Sequence, residues 1–168
     1  WELPWLPGYE GAKPVRVGNG AHCQRQLDVY GEVMDALHQA RLGGIEQSET
    51  AWALQRQLLE HLETIWEQPD CGLWEVRGPP QHFTHSKIMA WVAFDRGIRD
   101  AQAYGFECAL ERWKKIRSKI HAEVCERGFD AKRNCFVQAY GSQQLDASLR
   151  GFINTGDRRF LRAWRDVR

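Results

Sequence analysis

The sequence predicts an all-α protein, an array of helical hairpins joined by long, structured loops. Four stretches repeat apolar residues with a period near 3.6, glycines and prolines separate them, and neither strand-helix-strand alternation nor a glycine-rich phosphate loop is visible. Residues 1–21, WELPWLPGYEGAKPVRVGNGA, hold three prolines and four glycines before any helical period starts, so an irregular segment pinned by its aromatics is expected. From about His22 to Leu42, Leu27, Tyr30, Val33, Met34, Leu37 and Leu42 share one helical face, and Gly43–Gly44 ends the pattern. A second helix follows Ser48, a cap candidate with Glu49 in the first turn. It carries Trp52, Leu58, Leu59, Leu62 and Ile65 and stops before Pro69. A third, from about Thr84 to Tyr104, presents Ile88, Trp91, Val92, Asp95 and Ile98 and meets a natural stop at Gly105. A fourth, from about Glu107 to Arg127, repeats Leu110, Trp113, Ile116, Ile120 and Val124. The next segment, FDAKRNCFVQAYGSQQLDASL, reads as a short hairpin or extended turn leading into another helix.

Composition narrows the function classes. At 168 residues the chain is long enough for one domain with a real core, and 168 is also a natural size for a piece of something larger. Twenty-three basic residues against 22 acidic ones leave a formal charge of +1, which gives no footprint for nucleic acid or for an anionic membrane. Five cysteines, at 23, 71, 108, 125 and 135, form no CxxC pair and no His/Cys ligand spacing, so neither a disulfide framework nor a zinc site is expected. Reduced thiols in a cytoplasmic setting are the expectation. The opening WELPWLPGYEG has no basic and apolar leader pattern, and no run approaches a membrane-spanning length. Eight tryptophans favour either a heavy core or a stacking surface for flat ligands.

Function concentrates where a loop is stiff and polar, which directs attention to WEQPDCGLWEVRGPP. Pro69, Gly72, Gly78, Pro79 and Pro80 restrict its backbone, while Asp70, Glu75 and Arg77 supply charge. Two readings of Glu75 stay open on residue types alone. Glu75 either pairs with Arg77 at the surface, or is an acid whose pKa the neighbouring Trp74 indole raises by excluding water, so that it can donate a proton.

Three long segments carry a resemblance to a known family. WLPGYEGAKPVRVGNGAHCQRQLDVYGEV, PDCGLWEVRGPPQHFTHSKIMAWVAFDR and ERWKKIRSKIHAEVCERGFDAKRNCFVQAYGSQQLDASL together resemble the bacterial and archaeal branch of glycoside hydrolase family 15, which holds glucoamylases, glucodextranases and trehalases. The resemblance runs from Trp1 to about Leu149. It implies a six-hairpin α/α barrel, partial over residues 1–168, with a sugar pocket built from the loops at one end. In that family the general acid follows the tryptophan of a Leu-Trp-Glu sequence, which places the role on Glu75. The family inverts configuration, which implies a second carboxylate roughly 6.5 to 9.5 Å from the acid with a water between base and sugar. No segment here matches the family's base motif, and the N-terminal β-rich domain and later barrel helices of the family have no counterpart, so a central slice of one catalytic domain is expected. After LDASL the stretch RGFINTGDRRFLRAWRDVR departs from the family's leucine-rich helix.

Residue chemistry in the same segments supplies candidate partners for the acid and the sugar. Arg77 either holds a sugar hydroxyl and the acid's surroundings or braces the loop against Asp70, and Trp74 either lines the pocket or anchors the loop. His82 and Lys87 are candidates for sugar contacts, Thr84 for a helix cap, and the pair His82/His85 lacks the carboxylate a metal site would need. Asn19, Gln26 and Tyr30 offer amides and a phenol to a hydroxyl-rich ligand, with Asp28 as either partner or helix-start network. Tyr140 and Asp146 fall where the family places another pocket loop. The implied activity is inverting hydrolysis of an α-linked gluco-oligosaccharide or trehalose without a cofactor. HFTHSK sits closer to the trehalase-rich prokaryotic members than to the fungal starch enzymes. The alternative class is a noncatalytic helical fragment or sugar-binding protein that lacks the general base.

Overall fold

The structure, a computed structural model, describes residues 1–18, 24–45, 48–76 and 78–149. Four helices carry it: α1 (Asp28–Leu42), α2 (Glu49–Ile65), α3 (Thr84–Tyr104) and α4 (Leu110–Arg127). A two-residue antiparallel pair follows, β1 (Phe129–Asp130) and β2 (Cys135–Phe136), with Phe129 opposite Phe136. Its turn is an Asx turn in which Asp130 Oδ1 accepts from the backbone N–H groups of Lys132 and Arg133. None of the described helices is long and apolar enough to cross a membrane.

The helix boundaries follow from who takes the terminal backbone groups. Ser48 caps α2 as expected, its hydroxyl accepting from Ala51 N at 3.2 Å. Gly105 ends α3 in the left-handed conformation, φ 71°, which costs a glycine nothing. α1, by contrast, begins at Asp28 and not near His22, which lies outside the described residues. The residues ahead of it are recruited by the loop after α2: Leu27 N donates to Asp70 Oδ2 at 3.0 Å and Arg25 O accepts from Cys71 N at 2.8 Å. α4 starts at Leu110, three residues later than its pattern suggests, because the carbonyl of Glu107 is taken by the Trp52 indole at 3.0 Å. Thr84 does not cap α3. It is already the first helical residue, Phe83 holds the cap position, and the Thr84 N–H is satisfied by Gln138 O at 2.9 Å.

α3 is the central element. Every residue from Phe83 to Ile98 is buried, so the helix is covered all round, chiefly by α1 and α4, with α2 completing the shell. Small residues make this possible. A Cβ on Gly31 of α1 would sit 2.3 Å from the carbonyl oxygen of Met89, so the two backbones touch there. Leu59, Leu62, Phe94, Trp113 and Ile120 fill the space between the helices.

The buried carboxylates of α3 are paired with cations, as their desolvation requires. Asp95 binds Arg99 at 2.6 Å, Arg117 at 2.7 Å and Arg96 at 3.0 Å. Asp100 takes His38 at 2.6 Å together with Arg41, which also reaches Gln55 at 2.8 Å. These last contacts join the end of α1, the start of α2 and the end of α3. At the opposite pole, Leu27 meets Asp70 and Thr84 meets Gln138. The start of α1, the end of α2, the start of α3 and the end of α4 therefore share one end of the bundle, and the polar loops gather there.

Candidate active site

The loop carrying Glu75 is closed at its base before it reaches solvent. Asp70 and Gln81 exchange two backbone hydrogen bonds of 2.9 Å, and residues 71–80 project beyond that bridge. Gly72 turns the chain at φ 66° with the Phe83 ring packed against it, where a Cβ would lie 2.8 Å from Phe83 Cδ2. Only glycine fits that position. Two further backbone bonds, Glu75 N to Gly72 O and Val76 N to Cys71 O, both 3.1 Å, wind the tip into a tight turn. Glu75 itself occupies the left-handed region at φ 49°, a conformation that costs a glutamate on the order of 1 kcal/mol or more and that neighbouring contacts must hold.

The turn presents its side chains outward. Glu75 is exposed and Trp74 is 58% exposed, so the indole does not shield the carboxylate, which was one of the two readings that the sequence left open. Trp74 instead turns its N–H to Asp146, 3.0 Å from Oδ1 and 3.1 Å from Oδ2. Asp146 also accepts from Ser148 N at 2.7 Å and from Gln138 Nε2 at 2.8 Å. Partial burial pushes its carboxyl up, but the donors from Trp74, Ser148 and Gln138 outweigh that and bring it down to about 2.

The other candidates divide into those at the loop and those spent elsewhere. Gln26, half-buried, donates to Gly72 O at 3.3 Å, and Gln24, which no motif singled out, reaches Glu75 O at 3.5 Å. Both brace the turn. Tyr30 packs its ring against His61 of α2 with centroids 6.1 Å apart, and burial pushes its phenol up. Asp28 is buried at the base of the loop, where desolvation and the nearby Asp70 carboxylate raise its pKa. Lys87 has no exposed surface; its ammonium donates to the carbonyls of Trp66 and Gln68 at the end of α2. That position favours a structural tie over a sugar contact. His82 is half-buried and stacks on Tyr140 at 5.8 Å, with the Arg127 guanidinium 4.6 Å from the same phenol ring. His85 is buried, and burial lowers its pKa against the pull of Asp146. Asn19 and Arg77 lie outside the described residues. Among the described residues no group of three or more His, Cys, Asp or Glu side chains is placed to hold a metal ion.

The turn thus places an exposed carboxylate and an aromatic ring held by an aspartate where a ligand approaching from solvent can reach both. Residues 1–161 match the family described as Glycosyl hydrolases family 15. The chain belongs to that family. It is 43% identical over 148 residues to the trehalase of Mycobacterium tuberculosis, covering 88% of this chain and 22% of that protein. The trehalase of Thermoplasma volcanium is 42% identical over 160 residues, 92% of this chain and 26% of the relative. Trehalase 1 of Sulfolobus acidocaldarius is 33% identical over 178 residues, 99% of this chain and 29% of the relative. The family-15 chain thus spans about a quarter of the length of these relatives. No solved structure matches it.

Proposed function

We propose that Glu75 is the proton donor of an inverting α-glucosidase, and that trehalose is its substrate. The observation that carries this reading is the placement of Glu75: an exposed carboxylate on a strained, hydrogen-bonded turn at the end of the bundle where the loops of all four helices meet. Membership of family 15 supplies the reaction class, and the trehalase names of the relatives favour the substrate over longer α-linked gluco-oligosaccharides. In the same reading, α1 to α4 are a section of the family's α/α ring, with α1 and α3 parallel neighbours and α2 and α4 running back outside them. The partner carboxylate that activates water comes from another part of the ring. The free thiols Cys71, Cys108, Cys125 and Cys135 suit a cytoplasmic setting, which belongs to the proposal.

Cleaving an acetal requires protonation of the departing oxygen as positive charge grows on the anomeric carbon. Glu75→Gln keeps the shape of the side chain but removes the proton. In the protein containing this chain, that change is expected to slow trehalose turnover by ~10² to 10⁴ while leaving sugar affinity nearly intact. With glucosyl fluoride, whose leaving group departs with little protonation, the same variant retains far more of its activity. Equal slowing of both substrates, or of neither, removes Glu75 from the role.

A further inference from the structure

The Glu75 side chain makes no hydrogen bond or ion pair to any other described residue, so its direction is inherited from the turn that carries it. Of the side-chain contacts that hold this turn, the one from Gln24 is long, at 3.5 Å, and the one from Gln26 reaches only its first residue. The contact at the tip is that of Trp74 with Asp146, and it is charge-assisted and shared between both carboxylate oxygens. Asp146 is in turn fixed by Gln138, whose backbone carbonyl receives the first N–H of α3. A continuous line of hydrogen bonds therefore runs from the buried start of α3 through Gln138 and Asp146 to the residue next to Glu75.

We propose that Asp146 is a positioning residue, which holds the Trp74 indole and through it aims the Glu75 carboxyl at the leaving oxygen. The inference rests on the reading of Glu75 as proton donor and extends it to a second loop. Asp146 stays ionised far below neutrality, since its donors bring its carboxyl down to about 2, so the tether persists through the neutral and mildly acidic range. Displacement of a catalytic group by about 1 Å costs up to ~100-fold in rate, which is the scale of effect to look for.

The test compares Asp146→Ala, Trp74→Phe, their double variant and Asp146→Asn, each assayed on trehalose and on glucosyl fluoride in the protein containing this chain. Asp146→Ala and Trp74→Phe are each expected to lower kcat on trehalose by ~10- to 100-fold with KM changed only a few-fold, and to affect the fluoride much less. The double variant should be no worse than either single one within about threefold, because both remove the same tether. Asp146→Asn keeps an oxygen for the indole N–H and should recover most of the loss. Equal losses on both substrates, an effect confined to KM, or multiplying losses in the double variant would overturn the assignment. If Asp146→Ala does not fold, Trp74→Phe and Asp146→Asn decide it: the first must show the loss that depends on the leaving group and the second must not. Glu75→Gln is run beside them. If it fails to discriminate the two substrates, the proton-donor reading falls; if it discriminates while Trp74→Phe does not, only the role of Asp146 falls.

Discussion

Lys87 shows how the surroundings of a single residue escape reasoning on its type. In QHFTHSK it reads as a polar group free to reach a sugar, yet it sits in the first turn of a helix buried on every side, with its ammonium against the carbonyls of Trp66 and Gln68. Burial pushes its pKa down from the ordinary 10.5 to about 8, although Asp70, Glu123 and Glu67 pull it up; Arg127 adds to the fall. Because the folded pKa lies below the unfolded one, the unfolded chain binds more protons between about pH 8 and 10.5, and stability rises with pH across that window. The penalty for burying the charge is fully present below pH 8. Subtracting the stability of Lys87→Met from that of the parent, by urea unfolding from pH 7 to 10.5, is expected to give a difference that grows in the parent's favour by up to roughly 3 kcal/mol. A flat difference would show that the two carbonyls hold the proton as firmly as water does. The pairing of Trp74 with Asp146 was equally illegible, because it spans 72 residues and leaves no local pattern.

At the scale of elements, the sequence announced those helix ends that are settled locally and hid those settled by a distant partner. Ser48 and Gly105 mark α2 and α3 correctly because each satisfies or releases its own helix terminus. The starts of α1 and α4 moved inward because Asp70 and Cys71 engage residues 25–27 and Trp52 claims the Glu107 carbonyl. The full burial of α3 was also illegible. Its periodic face, Ile88, Trp91, Val92 and Ile98, is plain, but the opposite face is covered only because Ala90, Ala93 and Gly97 are small. Glycine at a helix interior normally costs about 1 kcal/mol relative to alanine, so replacing it should stabilise unless space forbids. At Gly31 space forbids, since the added methyl meets the Met89 backbone at 2.3 Å, whereas at Gly97 it meets the end of the Leu59 side chain at 2.4 Å, which can rotate away. Gly31→Ala is therefore expected to lose ~1 to 3 kcal/mol by urea unfolding, and Gly97→Ala distinctly less. Equal losses would mean that α1 and α3 can separate without disturbing the core.

For the whole molecule, the question is what its outer surface does. α3 is enclosed, but α1 leaves Val29 and Val33, one helical turn apart, 48% and 38% exposed, and Leu54 of α2 is 57% exposed. The segment before α1 adds Trp1, Trp5 and Tyr9, all more than two-thirds exposed. That segment is nonetheless anchored, with Leu3 N bonded to Val15 O at 2.8 Å and Val17 N to Trp1 O at 2.9 Å, so its rings stay outside and do not fold away. Water-facing apolar surface of this kind, once it exceeds a few hundred Å² in one patch, drives association. A preparation of the 168-residue chain is accordingly expected to bind a hydrophobic dye while showing helical circular dichroism, and to elute from size exclusion at an apparent mass that grows with concentration. Charge should reverse this locally: Val29→Lys with Val33→Glu, an i,i+4 pair on the exposed stripe, should weaken dye binding and association without lowering helix content, because neither side chain belongs to the core. A monodisperse parent that binds no dye and melts cooperatively would show that these side chains are tolerated singly, as scattered apolar residues on many surfaces are. A parent that associates but is not relieved by the charged pair would shift the sticky surface to the tryptophans of the first segment, where Trp1→Ser with Trp5→Ser makes the same comparison.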